Sequence, residues 1–151
     1  MLYTDLTKKA MQIAYDAHYG QTDRGNTPYI CHPLHVADSM PTEKRCCLAL
    51  LHDVLEDTEE TAESLIQKGI PKEIVEKVLV LTRRKDEAYD DYISRIIDSG
   101  DQDVIAVKLA DITHNLDITR TEHKDLPERL LTRYHKARAR LEPHLMRSEG
   151  E

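Results

Sequence analysis

Between Leu48 and Thr58 the chain reads LALLHDVLEDT, an apolar run that meets His52 and Asp53 and then Glu56 and Asp57. The apolar half belongs in a core. If a helix or helical turn continues through the stretch, Asp53 meets Glu56 and Asp57 at spacings of three and four, and His52 meets Glu56 at four. Carboxylates so close repel one another, and removing them from water costs still more. Any fold for this chain has to bury the run and offset that charge.

The rest of the pattern is helical nearly throughout and predicts an all-α chain. Leu6, Ala10, Ile13, Ala14 and Ala17 recur at helical spacing behind Thr4 or Asp5 as cap. Residues 20–31, with two Gly and a Pro among polar residues, read as a loop. Pro33 suits the first position of a short helix opened by His32, and Thr42 caps a helix running towards His52. Thr61 starts a short helix that Gly69 closes. Pro71 opens another, with Ile74, Val75, Val78 and Leu79 on one face, and a further helix runs from about Ala88 to Ser99. DVIAVKLADITHNL reads as a central buried helix. Pro127 opens the last, with Leu130, Leu131, Tyr134, Ala137, Leu141 and Leu145 inward.

The 151 residues suit one domain spanning 1–151, with residues from about 147 frayed. Leu, Ile, Val, Ala and Tyr must build the core, because the chain has no Trp and no Phe. The formal charge of −7 argues against broad nucleic-acid binding but leaves room for a local basic pocket. The odd set Cys31, Cys46 and Cys47 fits a reducing compartment. No apolar run approaches the roughly 20 residues needed to cross a bilayer, and the N-terminus MLYTDLTKK is not signal-like. These features predict a soluble cytoplasmic protein. No repeat, domain boundary or heptad strip is visible, so nothing in the sequence points to an oligomeric state.

A divalent cation would neutralise the carboxylates beside His52 and use its imidazole. His32, at a loop-to-helix start, and Asp111, inside an otherwise apolar helix, offer two further ligands. His32, His52, Asp53 and Asp111 make a two-nitrogen, two-oxygen set that suits Mn²⁺, Fe²⁺ or Zn²⁺. Simpler readings compete: Asp111 could cap a helix or pair with Lys108, and His32 could cap its own helix.

AHYGQTDRGNTPYICHPLHVA, LLHDVLEDT and VKLADITHNL occur in that order. Together they resemble the HD-domain phosphohydrolases, specifically the hydrolase domain of RelA/SpoT-like alarmone enzymes and the single-domain small alarmone hydrolases, from about Ala10 to Tyr134. The resemblance implies an HD-domain bundle of about seven to eight helices around one metal, usually Mn²⁺. It implies His32, His52, Asp53 and Asp111 as ligands, and Glu56 and Asp57 in water activation and proton transfer. It also implies Asn115 and Tyr134 in contact with the nucleotide. Members remove the 3′-pyrophosphate of guanosine tetra- or pentaphosphate, and some act on the adenosine counterparts.

The departures fall in the nucleotide pocket. Where the larger enzymes carry Arg five residues after the His of AH, this chain has Asp23, with Arg24 one later. Ile112 replaces the Arg after KLAD, and Ile118 replaces a frequent Thr. Arg24, Arg83, Arg84 and Lys85 are candidate phosphate contacts, at least two of them expected to be solvated instead. His18 is expected to pack or hydrogen-bond near the Gly20 turn, His35 to stay off the metal and His114 to face the pocket edge. His123, His135 and His144 read as solvated, Cys31 as a small buried apolar residue, and Tyr89 and Tyr92 as packing or base-stacking. No synthetase domain is expected, since nothing follows the last helix. The leading function is alarmone pyrophosphohydrolysis on a small-molecule nucleotide, without nucleic acid or membrane. The alternatives are an HD phosphohydrolase for another phosphorylated nucleotide and a catalytically silent nucleotide-binding regulator.

Overall fold

Thr4 opens the first helix, α1 (Asp5–Ala17). Its hydroxyl accepts from the Thr7 N–H while the Thr7 hydroxyl accepts from the Thr4 N–H, so two donors of the first turn are satisfied reciprocally. The chain, described by a computed structural model at residues 1–117 and 126–146, continues in the same way. Ile118, His123 and the fraying expected from residue 147 lie outside the described residues.

After α1 come α2 (Cys31–Asp38), α3 (Glu43–Leu51), the single turn α4 (Val54–Asp57) and α5 (Ala62–Gln67). They are followed by α6 (Lys72–Leu81), α7 (Tyr89–Ser99), α8 (Gln102–Asn115) and α9 (Glu128–Leu141), the last running on into a 3-10 turn at Glu142–His144. The fold is all-α, with eight helices of more than one turn among the described residues. Its one β-type contact among the described residues is an isolated bridge between Thr22 and Pro28. Thr42 and Thr61 cap α3 and α5 through their hydroxyls. Gly69 follows α5 at φ +97°, a left-handed conformation that glycine takes without strain.

The core is built around α3 and α8. Cys46 through Leu51 are fully buried, because α3 packs against α1, α2, α6 and α8 and has no solvent face beyond its first turn. In α8, Val104, Ile105, Val107 and Ile112 are fully buried, with α2, α3, α6, α7 and α9 around them. The two central helices hold side chains of His52 and Asp111 at their C-terminal ends, where the apolar packing gives way.

Three local expectations are corrected. The helix α2 starts at Cys31, so Pro33 is its third residue; a turn in which Cys31 and His32 N–H groups donate to the Pro28 and Tyr29 carbonyls leads into it. Pro33 stays within the first turn, where a missing N–H costs nothing. Cys31 is exposed rather than buried, since His32, Pro33, Val36 and Ala37 form the inward side. Leu79 is 46% exposed, and Leu81 takes its place on the buried face of α6.

Candidate metal centre and its cavity

The run LALLHDVLEDT does not continue as one helix. It breaks between Leu51 and Val54: His52 is the C-cap of α3 and Asp53 the N-cap of α4. On a continuous helix these neighbours would point about 100° apart. At the break, His52 Nε2 and Asp53 Oδ2 lie 3.0 Å from each other. A helical turn survives beyond it, closed by the Asp57 N–H on the Asp53 carbonyl.

His32 enters from the first turn of α2 and Asp111 from α8. His32 Nε2 lies 2.7 Å and His52 Nε2 3.2 Å from Asp111 Oδ1, and His32 Nε2 lies 4.0 Å from Asp53 Oδ2. The four donor atoms sit within 4.8 Å of one another, on side chains that are largely buried. With bonds of about 2.1 Å, neighbouring ligands of a six-coordinate cation lie about 3 Å apart and opposite ones about 4.2 Å. The two imidazoles and two carboxylates fit such an ion and leave positions for water.

The supporting contacts fix the ligand atoms. His52 Nδ1 donates to the Ala49 carbonyl at 2.5 Å, which leaves Nε2 as the ligand nitrogen. His32 Nδ1 meets His114 Nδ1 at 2.7 Å. The second Asp111 oxygen accepts from Lys108 at 2.9 Å, and the Tyr29 hydroxyl donates to Asp53. Burial works against a charged His52, but Asp53 and Asp111 outweigh it and hold the imidazole pKa well above its ordinary value. Burial likewise pulls Asp53 upward, yet the neighbouring His52 brings the carboxyl down to about 2. For Asp111 the same opposition is won by Lys108 and His52, which keep it well below the carboxylate range. The field of this centre favours positive charge.

The centre opens on a cavity of about 450 Å³, also lined by Glu56, Arg24, Asn115 and Tyr134. Partial desolvation pushes the Glu56 carboxyl above its ordinary value, and the Arg83 N–H donated to it pulls the other way. Asp57 does not line this cavity; it borders a separate groove with Asp16, Glu60 and Lys68. Asn115 reaches back to Asp111 Oδ1 at 3.4 Å. The Asp23 carboxylate accepts from the N–H groups of Gly25 and Thr27 in its own loop, and Arg24 is exposed at the cavity.

Of the other basic candidates, Arg83 lines the cavity and Arg84 and Lys85 are exposed away from it. Tyr89 and Tyr92 line it too, and Tyr92 donates its hydroxyl to the Leu81 carbonyl. His114 is not at the edge of this cavity: it stacks between His32 and His35, behind the centre, at ring distances of 4.9 and 3.9 Å. His18 is buried and bonds Gln21 beside the Gly20 turn. Sequence reasoning missed Tyr29, although it stands in the quoted PYICHP, and Arg133, for which the sequence carries no signal. Lys108 was weighed only as a partner of Asp111; it is that partner and a cavity residue as well.

No family model matches the chain. The bifunctional (p)ppGpp synthase/hydrolase SpoT of Escherichia coli K12 is 41% identical to it over 122 residues, 72% of this chain and 17% of that protein. The chain resembles the hydrolase domain of SpoT-like enzymes. The guanosine-3′,5′-bis(diphosphate) 3′-pyrophosphohydrolase of Haemophilus influenzae is 38% identical over 116 residues, 69% of this chain and again 17% of that protein. This chain therefore spans about a sixth of the length of these SpoT-like relatives. A solved metazoan ortholog of SpoT that hydrolyses ppGpp superposes with a TM-score of 0.75 over 96% of this chain and 90% of that one, at 22% identity, and shares the fold.

Proposed function

We propose that this chain is a metal-dependent phosphohydrolase that removes the 3′-pyrophosphate of a (p)ppGpp- or (p)ppApp-like alarmone, with Mn²⁺ held by His32, His52, Asp53 and Asp111. The observation that carries the reading is the meeting of these four donors at one point, with His32, Asp53 and Asp111 on the wall of a cavity that also holds Glu56, Arg24, Asn115 and Tyr134. The relatives' names, (p)ppGpp synthase/hydrolase and 3′-pyrophosphohydrolase, supply the substrate class. Residues 1–151 would form one hydrolase domain. The free thiols and the charge of −7 support a cytoplasmic enzyme acting on a small nucleotide rather than on nucleic acid.

His32, His52, Asp53 and Asp111 would hold the cation, which would supply water activation and polarisation of phosphoryl oxygens. Glu56 takes the proton of the attacking water, a role its raised pKa favours. The new bond joins water oxygen to phosphorus, the bond from phosphorus to the ribose 3′ oxygen breaks, and that oxygen leaves with a proton from solvent. Glu56 rather than Asp57 is the acceptor, because Asp57 stands outside the cavity. Arg24, Asn115 and Tyr134 hold the nucleotide. Asp23 accepts from N–H groups of its own loop, and Arg24 beside it lines the cavity.

Incubating the protein and Mn²⁺ with the guanosine and adenosine 3′-pyrophosphates, beside simple nucleoside triphosphates, tests the reading. Pyrophosphate release from at least one alarmone is expected, and its loss in His52→Ala. Release from neither, with clear hydrolysis of another nucleotide, sinks the alarmone assignment and leaves a metal phosphohydrolase of different substrate.

A further inference from the structure

Most of the arginines that touch the bundle's seams are matched by carboxylates: Arg45 with Asp103, Arg95 with Glu87, Arg138 with Glu142 and Arg140 with Asp90. Arg83 and Arg133 form no ion pair with a carboxylate among the described residues. Both line the cavity, and both lie over the same ring: the Arg83 guanidinium is 5.5 Å and that of Arg133 4.7 Å from the centre of Tyr89. Lys108 adds a third cation 5.9 Å from that ring, with Tyr134 packed edge-on at 6.4 Å. The Tyr89 hydroxyl is buried without a hydrogen-bond partner.

Arg83 Nε donates to the Glu87 carbonyl at 2.9 Å, but two guanidiniums gathered at one ring without a carboxylate partner repel, and a tyrosine face recovers only part of that cost. An anion between them would remove it. The Tyr89 face holds the two planar forks in place, and such forks match phosphate oxygens two at a time. The site is tied to the metal centre from two sides. The Arg83 N–H bonds Glu56, and Lys108 joins the Tyr89 ring to Asp111.

We propose that Arg83 and Arg133, set over Tyr89, form a second phosphate-binding subsite. It holds a phosphoryl group of the substrate other than the one attacked at the His32–Asp111 centre. This inference rests on the phosphohydrolase reading of the cavity and adds which residues hold a phosphoryl group beyond the one attacked. The second group is either the terminal phosphate of the 3′-pyrophosphate or the phosphate chain on the 5′ side. Lys108 belongs to the metal centre, since its ammonium is spent on Asp111.

The test uses two anions that the proposed reaction does not cut, inorganic pyrophosphate and guanosine 5′-diphosphate. Each is titrated by calorimetry into the Mn²⁺-loaded wild type, Arg133→Gln and Arg83→Gln. Each variant is expected to bind at least one of the anions about tenfold or more weakly, and Arg133→Lys to recover part of the loss. Weakened pyrophosphate binding assigns the subsite to the leaving group; weakened diphosphate binding assigns it to the 5′ chain. Arg83→Gln keeps the backbone N–H on Glu56, so it serves if Arg133→Gln does not fold. Failure of wild type to bind either anion, or unchanged affinities in folded variants, overturns the proposal. Because neither probe is turned over, that outcome is separate from a failure to hydrolyse alarmones.

Discussion

Tyr29 ties the loop before α2 to a proposed metal ligand 24 positions away. Its ring packs between His18 and His32, and its hydroxyl donates to the Asp53 carboxylate. Burial and the charge of Asp53 raise the phenol pKa, so it stays a donor. Tyr29→Phe keeps the packing and removes that bond, and Mn²⁺ affinity should fall about 10–100-fold, as measured against a competing chelator. Unchanged affinity would reduce Tyr29 to a space-filling role. Glu56→Gln should retain metal and slow turnover about 10²–10⁴-fold; steady-state rates beside metal analysis check both, and normal turnover excludes Glu56 as the base. Asp57→Asn should cost less. His52, Asp53 and Asp111 were legible in the sequence because a charge inside an apolar run demands an explanation. Tyr29 was not, because no spacing rule carries a side chain across a loop to a residue so far along. Arg133 looked like any other charge among the arginines of α9.

Helices α6 and α7 are joined by the Tyr92 hydroxyl on the Leu81 carbonyl and, more extensively, by one arginine. Arg95 of α7 forks onto the Glu87 carboxylate and donates to the carbonyls of Val80 and Thr82 at the end of α6. The fork holds the Glu87 carboxyl at about 2. A carboxyl depressed in the folded state stabilises above its unfolded value of about 4.3 and loses that contribution as pH falls towards 2. Glu87→Gln should therefore cost about 1 kcal/mol at pH 7, a figure already reduced for solvent screening. The gap from wild type should narrow by pH 3, as read from urea unfolding at both values. A gap that stays constant would mean the ion pair is not its source. At this scale the helix starts were readable, because Thr4, Thr42, Thr61, Pro71 and Pro127 act on their own first turns. The break at His52–Asp53 was not, since it depends on what α2 and α8 bring to the end of α3.

Across the whole molecule the candidate centre joins α2, the α3–α4 break and α8, elements that also meet through apolar side chains, the Arg45–Asp103 ion pair and the stacking of His114 on His32 and His35. An ion held there binds only the folded chain. At a free concentration 100 times its Kd it contributes about 2.7 kcal/mol, or about 5–10 °C in Tm for a domain of this size. Thermal unfolding with Mn²⁺ and with a chelator measures the difference, which His52→Ala should abolish. A Tm indifferent to the chelator would mean that no ion is held. Asp111 also follows His32 by 79 positions and His52 by 59. On a ribosome adding about 5–20 residues per second, His52 waits about 3–12 s for the carboxylate that completes its site. During synthesis, then, the nascent chain would carry a half-built chelate, and capture of an ion at the proposed centre would mark the moment at which α8 reaches its place.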